Sequence, residues 1–287
     1  MKRESKKRKF RPWVILLTIF IFLYAIFLYF KITNVEAYNT FRYRINPNEK
    51  IFNEIIASKL NKHPLELNSK DYKKIDKLYL SGSDLKNIKP ITRLKNLQTL
   101  SLSNLKINNL KPLSKLTNLK SLTLMDLDIG NLKTLSNLKQ LRELDIQQVG
   151  IPYKQPSRIT YRIREFLGIP IKNHDRGRKP ISITPLKKLT KLEKLTIENC
   201  RVKSFKPVKK LKKLNTLHLY YPNISNMKLL SGLKNLKYLY VRDKKLTNIK
   251  YLKSLTNLER LTIKAKNIND EQICELKEAL PNLKIEK

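Results

Sequence analysis

The chain runs to 287 residues and is 41% apolar, enough to bury a core in one domain or along a solenoid, and 61 basic residues against 23 acidic ones leave a formal net charge of +38. Two cysteines, Cys200 and Cys274, cannot make a disulfide-held scaffold. Three dispersed histidines (His63, His174 and His218), no metal-ligand spacing, no glycine-rich phosphate loop and no nucleophile elbow argue against an enzyme, and no cofactor is implied. The excess of lysine is what an AT-rich gene produces alongside Asn and Ile, yet it does not account for the scarcity of acids. A polyanionic partner is therefore one of two readings of the charge.

In chain order, the first expected element is membrane-related. Residues 1–12 hold Lys2, Arg3, Lys6, Lys7, Arg8, Lys9 and Arg11 against the single acid Glu4, and read as a basic cytoplasmic tail. Residues 13–30, WVILLTIFIFLYAIFLYF, carry no charge, and as a helix they reach about 27 Å, close to the hydrocarbon thickness of a bilayer. Trp13 and Tyr29 lie at the two ends, where aromatic belts form. The spacing predicts a single-pass transmembrane helix with the basic flank inside the cell and everything after Phe30 outside. Cleavage after Ala37, releasing a secreted protein, is the rival reading. Residues 31–44 form a short linker that keeps the basic domain near the membrane.

From Leu94 a phrase recurs every 22 residues. Leu94, Leu97, Leu100, Leu102, Leu105, Ile107, Leu110 and Pro112 make one copy, repeated from Leu116 and Leu138, then after an interruption from Leu189, Leu211, Leu233 and Leu255. A weaker copy at Ile75, Leu78 and Leu80 precedes these, and a last one at Leu280, Leu283 and Ile285 ends the chain, which gives nine strand registers. The Leu-x-Leu pair reads as a short strand with both leucines inward, and the Pro-Leu step as a turn with a helical or 3₁₀ segment behind it. No unit can bury its own apolar edge, so the units stack on one continuous core. Cys200 and Cys274, more than three repeats apart, are expected as separate small core residues, roughly 15 Å from each other at about 4.8 Å per strand.

This pattern resembles the internalin-like bacterial leucine-rich repeats, with the same period, the same Leu-x-Leu strand and the same Pro-Leu step. The resemblance covers about residues 45–287. It implies an α/β leucine-rich-repeat solenoid with a parallel β ladder on its concave face, a helical amino-terminal cap over 45–71, repeats over 72–287 and a carboxy-terminal cap at about 270–287. Ile45-Asn46-Pro47-Asn48, the apolar Phe52, Ile55, Ile56 and Leu60, and Ser69-Lys70-Asp71-Tyr72 carry the likeness of the amino-terminal cap, with Ser69 expected to cap its second helix. One departure stands out. Where the family places an inward Asn two residues before the consensus Ile, this chain has Leu105, Leu127, Val149, Cys200, Pro222, Lys244 and Lys266, so apolar packing is expected to replace the ladder early and the last turns to be looser.

Residues flanking the inward leucines should point to the concave face. They change from small polar groups (Thr99, Ser101, Ser103, Asn104) through acids (Asp126, Glu143, Asp145, Glu198) to aromatics. His218, Tyr220, Tyr221, Tyr238 and Tyr240, with Arg242 and Arg260 at the margin, form the candidate protein-binding site, since Tyr and Arg anchor interfaces. The alternative is that Tyr is simply a good strand former. Between Pro156 and Pro185 lies an insertion, at about 157–184, carrying Arg158, Arg162, Arg164, Arg176 and Arg178; Ile159, Ile163, Phe166 and Leu167 follow helical spacing. Lys187, Lys188 and Lys191 stack in register on Lys209, Lys210 and Lys213. Together these cations are candidates for binding an anionic cell-wall polymer or lipid headgroup, against the plainer reading of a solvated basic edge. The functional expectation is a non-enzymatic, membrane-anchored extracellular module for an unknown protein partner, with anionic-polymer binding as the alternative. Nucleic acid is a poor candidate, because the aromatics are not interleaved with the basic patch and the domain is expected outside the cell.

Overall fold

The computed structural model describes residues 12–33, 46–82, 84–150, 179–222, 224 and 227–287, and the chain divides into two compact units, residues 1–67 and 68–287.

In the first unit, helix α1 spans Pro12–Thr33, 22 residues and about 33 Å at 1.5 Å per residue. Leu16, Phe20 and Phe22 on it are exposed. Among the residues whose side chains are described, no helix is long and apolar enough to cross a membrane. The membrane span expected over 13–30 is thus not shown by the structure. Helix α2 spans Pro47–Leu60. Asn46 starts it, its side chain accepting the Glu49 N–H at 3.2 Å, and Pro47 supplies a first turn that needs no donor. Asn61, left-handed at φ 51°, ends it.

The second unit opens with the short helix α3, Ser69–Lys73, so the expected 45–71 cap is divided between the two units. Asn68, not Ser69, is its cap. Asn68 Oδ1 accepts from the Lys70 and Asp71 N–H groups, and Asp71 Oδ2 accepts from the Asn68 N–H at 3.1 Å. An acid three residues after Asn68 closes this reciprocal box, and Ser69 has no such partner downstream.

Nine parallel strands follow in chain order among the described residues: β1 Lys77–Ser81, β2 Thr99–Ser103, β3 Ser121–Met125, β4 Glu143–Gln147, β5 Lys194–Glu198, β6 Thr216–Tyr220, β7 Tyr238–Arg242, β8 Arg260–Lys264 and β9 Lys284–Glu286. Equivalent leucines face one another across each step, Leu100 on Leu122 and Leu122 on Leu144. In the full-length strands β1–β8 the second and fourth residues are buried, because successive side chains alternate faces. Behind the sheet each repeat makes a 3₁₀ turn whose central apolar residue (Leu113, Leu135, Leu186, Val208) completes the core. The fold is a leucine-rich-repeat solenoid.

Two asparagine columns satisfy the turns. Asn87, Asn109, Asn131 and Asn248 each accept the N–H two residues on, starting the 3₁₀ turn. Asn96, Asn118, Asn235 and Asn257 each donate to a carbonyl of the preceding repeat, at 2.7–3.0 Å. The expected inward column behaves in two ways. Leu105, Leu127, Val149, Cys200 and Pro222 are buried, whereas Lys244 and Lys266 are exposed. Just after each strand from β1 to β6 the backbone turns left-handed, at Gly82, Asn104, Asp126, Gln148, Asn199 and Tyr221.

Strands β4 and β5 pair in register, Leu144 on Leu195, although these residues are 51 positions apart where the other neighbours from β1 to β8 are 22 apart. The extra chain leaves after Gly150 and returns at Lys179, whose N–H donates to the Gly150 carbonyl at 2.7 Å. Ile181 and Ile183 are buried, and Ser182 and Ile181 bridge to Asn131 and Val202. Residues 179–184, expected inside the insertion, are thus part of the repeat, since their Ile-x-Ile supplies the core side chains that turn requires. The expected helix around 159–167 lies outside the described residues. Cys274 corrects a second expectation. Cys200 is buried and its thiol reaches the Glu198 carbonyl at 3.2 Å, but Cys274 is exposed. It falls within helix α4, Asp270–Ala279, whose buried residue is Leu276 rather than Cys274.

Candidate ligand-binding face

The first, third and fifth residues of each strand form the outer face of the sheet. On β3–β6 this face holds a hollow of about 420 Å³. Glu143, Asp145, Gln147, Lys194 and Glu198 line it, with His218 and Tyr220 at one end. Glu143 accepts from the Ser121 hydroxyl at 3.1 Å, and Asp145 accepts from the Gln147 amide at 2.8 Å. The Gln147 amide oxygen is buried and has no hydrogen-bond partner among the described residues. Three carboxylates against one lysine make this an acidic region on a strongly basic chain.

The aromatic end is a packed corner. The rings of Tyr220 and Tyr240 stack with centroids 4.4 Å apart, and His218 meets both edge-on, at 6.5 and 6.1 Å. Register explains the grouping: His218 pairs with Tyr240 across β6 and β7, and Tyr220 is two residues further along the same face. Burial, with Lys194 adding to it, pulls the His218 imidazole below its ordinary value, so it is neutral at physiological pH. Burial pushes the Tyr220 hydroxyl up, supported by Tyr240, Glu198 and Asp145 and opposed by Arg242.

The other expected anchors go elsewhere. Tyr238, at the first position of β7, donates its hydroxyl to Glu259 at 3.0 Å. Glu259 also takes the Lys237 ammonium at 2.7 Å, and these two bonds hold its carboxyl below the usual range. Arg260 pairs in register with Tyr238, away from the stacked corner. Tyr221 follows the strand in the left-handed region, at φ 54°, and the Arg242 guanidinium lies 5.1 Å from its ring centroid. These two line a separate hollow of about 350 Å³ with Lys244, Lys264, Lys266 and Lys287. Register could have separated Tyr238 from the rest, since it pairs with Thr216 rather than with His218 or Tyr220, but the left-handed residue at Tyr221 has no signature in a Tyr-Tyr pair.

Of the anion-binding candidates, Arg158, Arg162, Arg164, Arg176 and Arg178 lie outside the described residues. Lys187, Lys188, Lys209 and Lys210 are exposed on consecutive 3₁₀ turns behind the sheet, and Lys213 is exposed just beyond. Lys191 is half-buried, its ammonium donating to Gln140 at 2.7 Å. Among the described residues no group of three or more His, Cys, Asp or Glu could hold a metal ion.

The period, the parallel ladder and the turns behind it define the class of fold, a leucine-rich-repeat solenoid. No protein-family model and no curated protein matches the sequence. Among solved structures the chain is similar to an internalin C2 from Listeria monocytogenes, at 22% identity and a TM-score of 0.53, over 74% of this chain and 91% of that one. It is also similar to a leucine-rich-repeat protein of Leptospira interrogans, at 20% identity and a TM-score of 0.47, over 76% of this chain and 62% of that one. At this identity the likeness to the internalin concerns the fold.

Proposed function

We propose that this chain is a non-enzymatic binding protein whose leucine-rich-repeat unit takes a protein partner on the outer face of β4–β7, with α1 holding it at a membrane and the repeats outside the cell. The observation that carries the binding reading is the corner of His218, Tyr220 and Tyr240 beside the acidic hollow. Rigid, half-exposed aromatic rings offer large apolar area, lose little entropy on fixation and keep polar edges for hydrogen bonds. Nothing in the solenoid core requires them on this face, where other strands carry Ser and Thr. A partner surface combining an apolar patch with a cationic or amide donor suits the rings, the carboxylates and the Gln147 oxygen together.

The test is capture by the full-length chain at the cell surface, compared with a Tyr220→Ala/Tyr240→Ala variant. Loss of a central anchor costs at least about 2 kcal/mol, roughly thirtyfold in affinity. A charge-removing control behind the sheet, Lys187→Ser/Lys209→Ser, should keep its partner. Undiminished capture by the double Tyr variant overturns the aromatic site.

A further inference from the structure

The second hollow, at the turn ends of β6–β8, is lined by Tyr221, Arg242, Lys244, Lys264, Lys266 and Lys287, and no Asp or Glu is among its lining residues. We infer that it is a binding site for a phosphate group, separate from the protein-binding face and independent of that reading.

The argument begins with the inward column. Five residues occupy it with buried apolar or sulfur-bearing side chains, and then Lys244 and Lys266 stand in the same place in consecutive repeats. An ammonium group cannot enter an apolar core without a partner, so both side chains turn outward while Leu246 and Ile268, two residues on, keep the core filled. The two lysines therefore sit one repeat apart and line the same hollow. Neither ammonium group makes a hydrogen bond or ion pair among the described residues. Cations gathered in one hollow repel one another, and an anion bound among them offsets that repulsion.

The rest of the hollow suits phosphate. Arg242 presents a guanidinium fork laid over the Tyr221 ring, and Lys264 comes from the neighbouring strand, its ammonium donating to the Lys287 main-chain oxygen at 2.8 Å. Lys287 itself bonds Asp270 at 2.7 Å, and Arg242, Lys244 and Lys266 complete the cations that line the hollow. They come from two successive repeats. A carboxylate offers two oxygens in one plane, whereas a phosphate offers tetrahedral oxygens that can accept from a fork and two ammonium groups together. About 350 Å³ is room for a diphosphate or for a phosphodiester with its neighbouring atoms. Tyr221 gives independent support. It is a bulky residue at positive φ, where the equivalent repeats use Gly, Asn, Asp or Gln, and such backbone strain concentrates at ligand sites.

Equilibrium dialysis of the full-length chain in neutral detergent against radiolabelled inorganic pyrophosphate tests the site, with glycerophosphoglycerol, the water-soluble phosphodiester of a lipid headgroup, as a second arm. Lys244→Ser/Lys266→Ser should weaken binding about tenfold or more. Lys111→Ser/Lys133→Ser, which removes the same charge from two 3₁₀ turns behind the sheet, should change it less than about twofold. All four lysines are exposed, so both variants keep the core. Selective loss with pyrophosphate assigns a free or terminal phosphate, and selective loss with glycerophosphoglycerol alone assigns a headgroup-type diester. Equal losses in the two variants, or no binding of either probe by the parent chain, overturns the proposal.

Discussion

Asp243 shows how much rests on one acid in a chain of lysines. It is 3% exposed, and its two oxygens accept the Ile224 N–H at 2.7 Å and the Lys245 N–H at 2.9 Å. Asp243→Ala strands both donors, and an unsatisfied buried group costs on the order of 1–3 kcal/mol, more where the bond was charged. The expected loss is roughly 2–4 kcal/mol in urea denaturation, and a loss under about 0.5 kcal/mol means water replaces the carboxylate. His218 gives a pH-dependent outcome. Its imidazole titrates below 6.5 in the fold and near 6.5 in the unfolded chain, so between these values the unfolded state binds more protons. Its contribution is present in full above pH 6.5 and is lost as pH falls through the folded value. Proton NMR, with the signal assigned by its disappearance in His218→Gln, should show a midpoint below 6.5, and that variant should have the flatter stability profile. A midpoint at or above 6.5 contradicts the packed corner.

At the scale of the repeat, the leucine columns were legible because burial repeats at a fixed period, a signal independent of any one residue. Leu144 and Leu195, 1% and 0% exposed, occupy the same register on β4 and β5. Replacing either with Ala should cost roughly 2–5 kcal/mol by denaturant melts; a loss below about 0.5 kcal/mol is incompatible with their burial. The edges of the insertion were less legible, since Pro156 and Pro185 suggested a boundary that tertiary pairing sets earlier in the chain. Gly150 marks that edge. Its φ is 84°, and a Cβ there would lie 2.5 Å from the Lys179 carbonyl oxygen. Deleting 151–179 joins Gly150 to Pro180 and restores the 22-residue spacing between Leu144 and Leu195. Because each repeat contacts chiefly its neighbours, that deletion should leave one cooperative unfolding transition. Separate melting of the β1–β4 and β5–β9 halves would show that the inserted chain couples them. The candidate aromatic corner was half legible. Its residue types and strands followed from the sequence, but the partition of Tyr220 from Tyr221 depends on a left-handed residue, and Cys274 is exposed because it lies on a helix outside the repeating pattern.

At the scale of the whole chain, charge and hydropathy are divided along the sequence, and this bears on where the binding unit works. Thirteen of the eighteen residues from Trp13 to Phe30 are Val, Ile, Leu or Phe, and α1 carries this stretch as one uninterrupted helix. At about −0.3 to −0.6 kcal/mol each near a bilayer centre, they favour insertion by roughly 4–8 kcal/mol. Under the proposed anchor, the cations of residues 1–12 would oppose translocation of the amino terminus and so leave the repeats on the far side. The full-length protein should then stay with membranes through an alkaline carbonate wash, and protease added to intact cells should digest epitopes beyond residue 46. Replacing Lys2, Arg3, Lys6, Lys7, Arg8, Lys9 and Arg11 with Ser should scramble that orientation while membrane association persists. Protection of the repeat unit on intact cells overturns the outward assignment, and release of a soluble protein beginning at Tyr38 shows that the helix acts as a cleaved signal rather than an anchor.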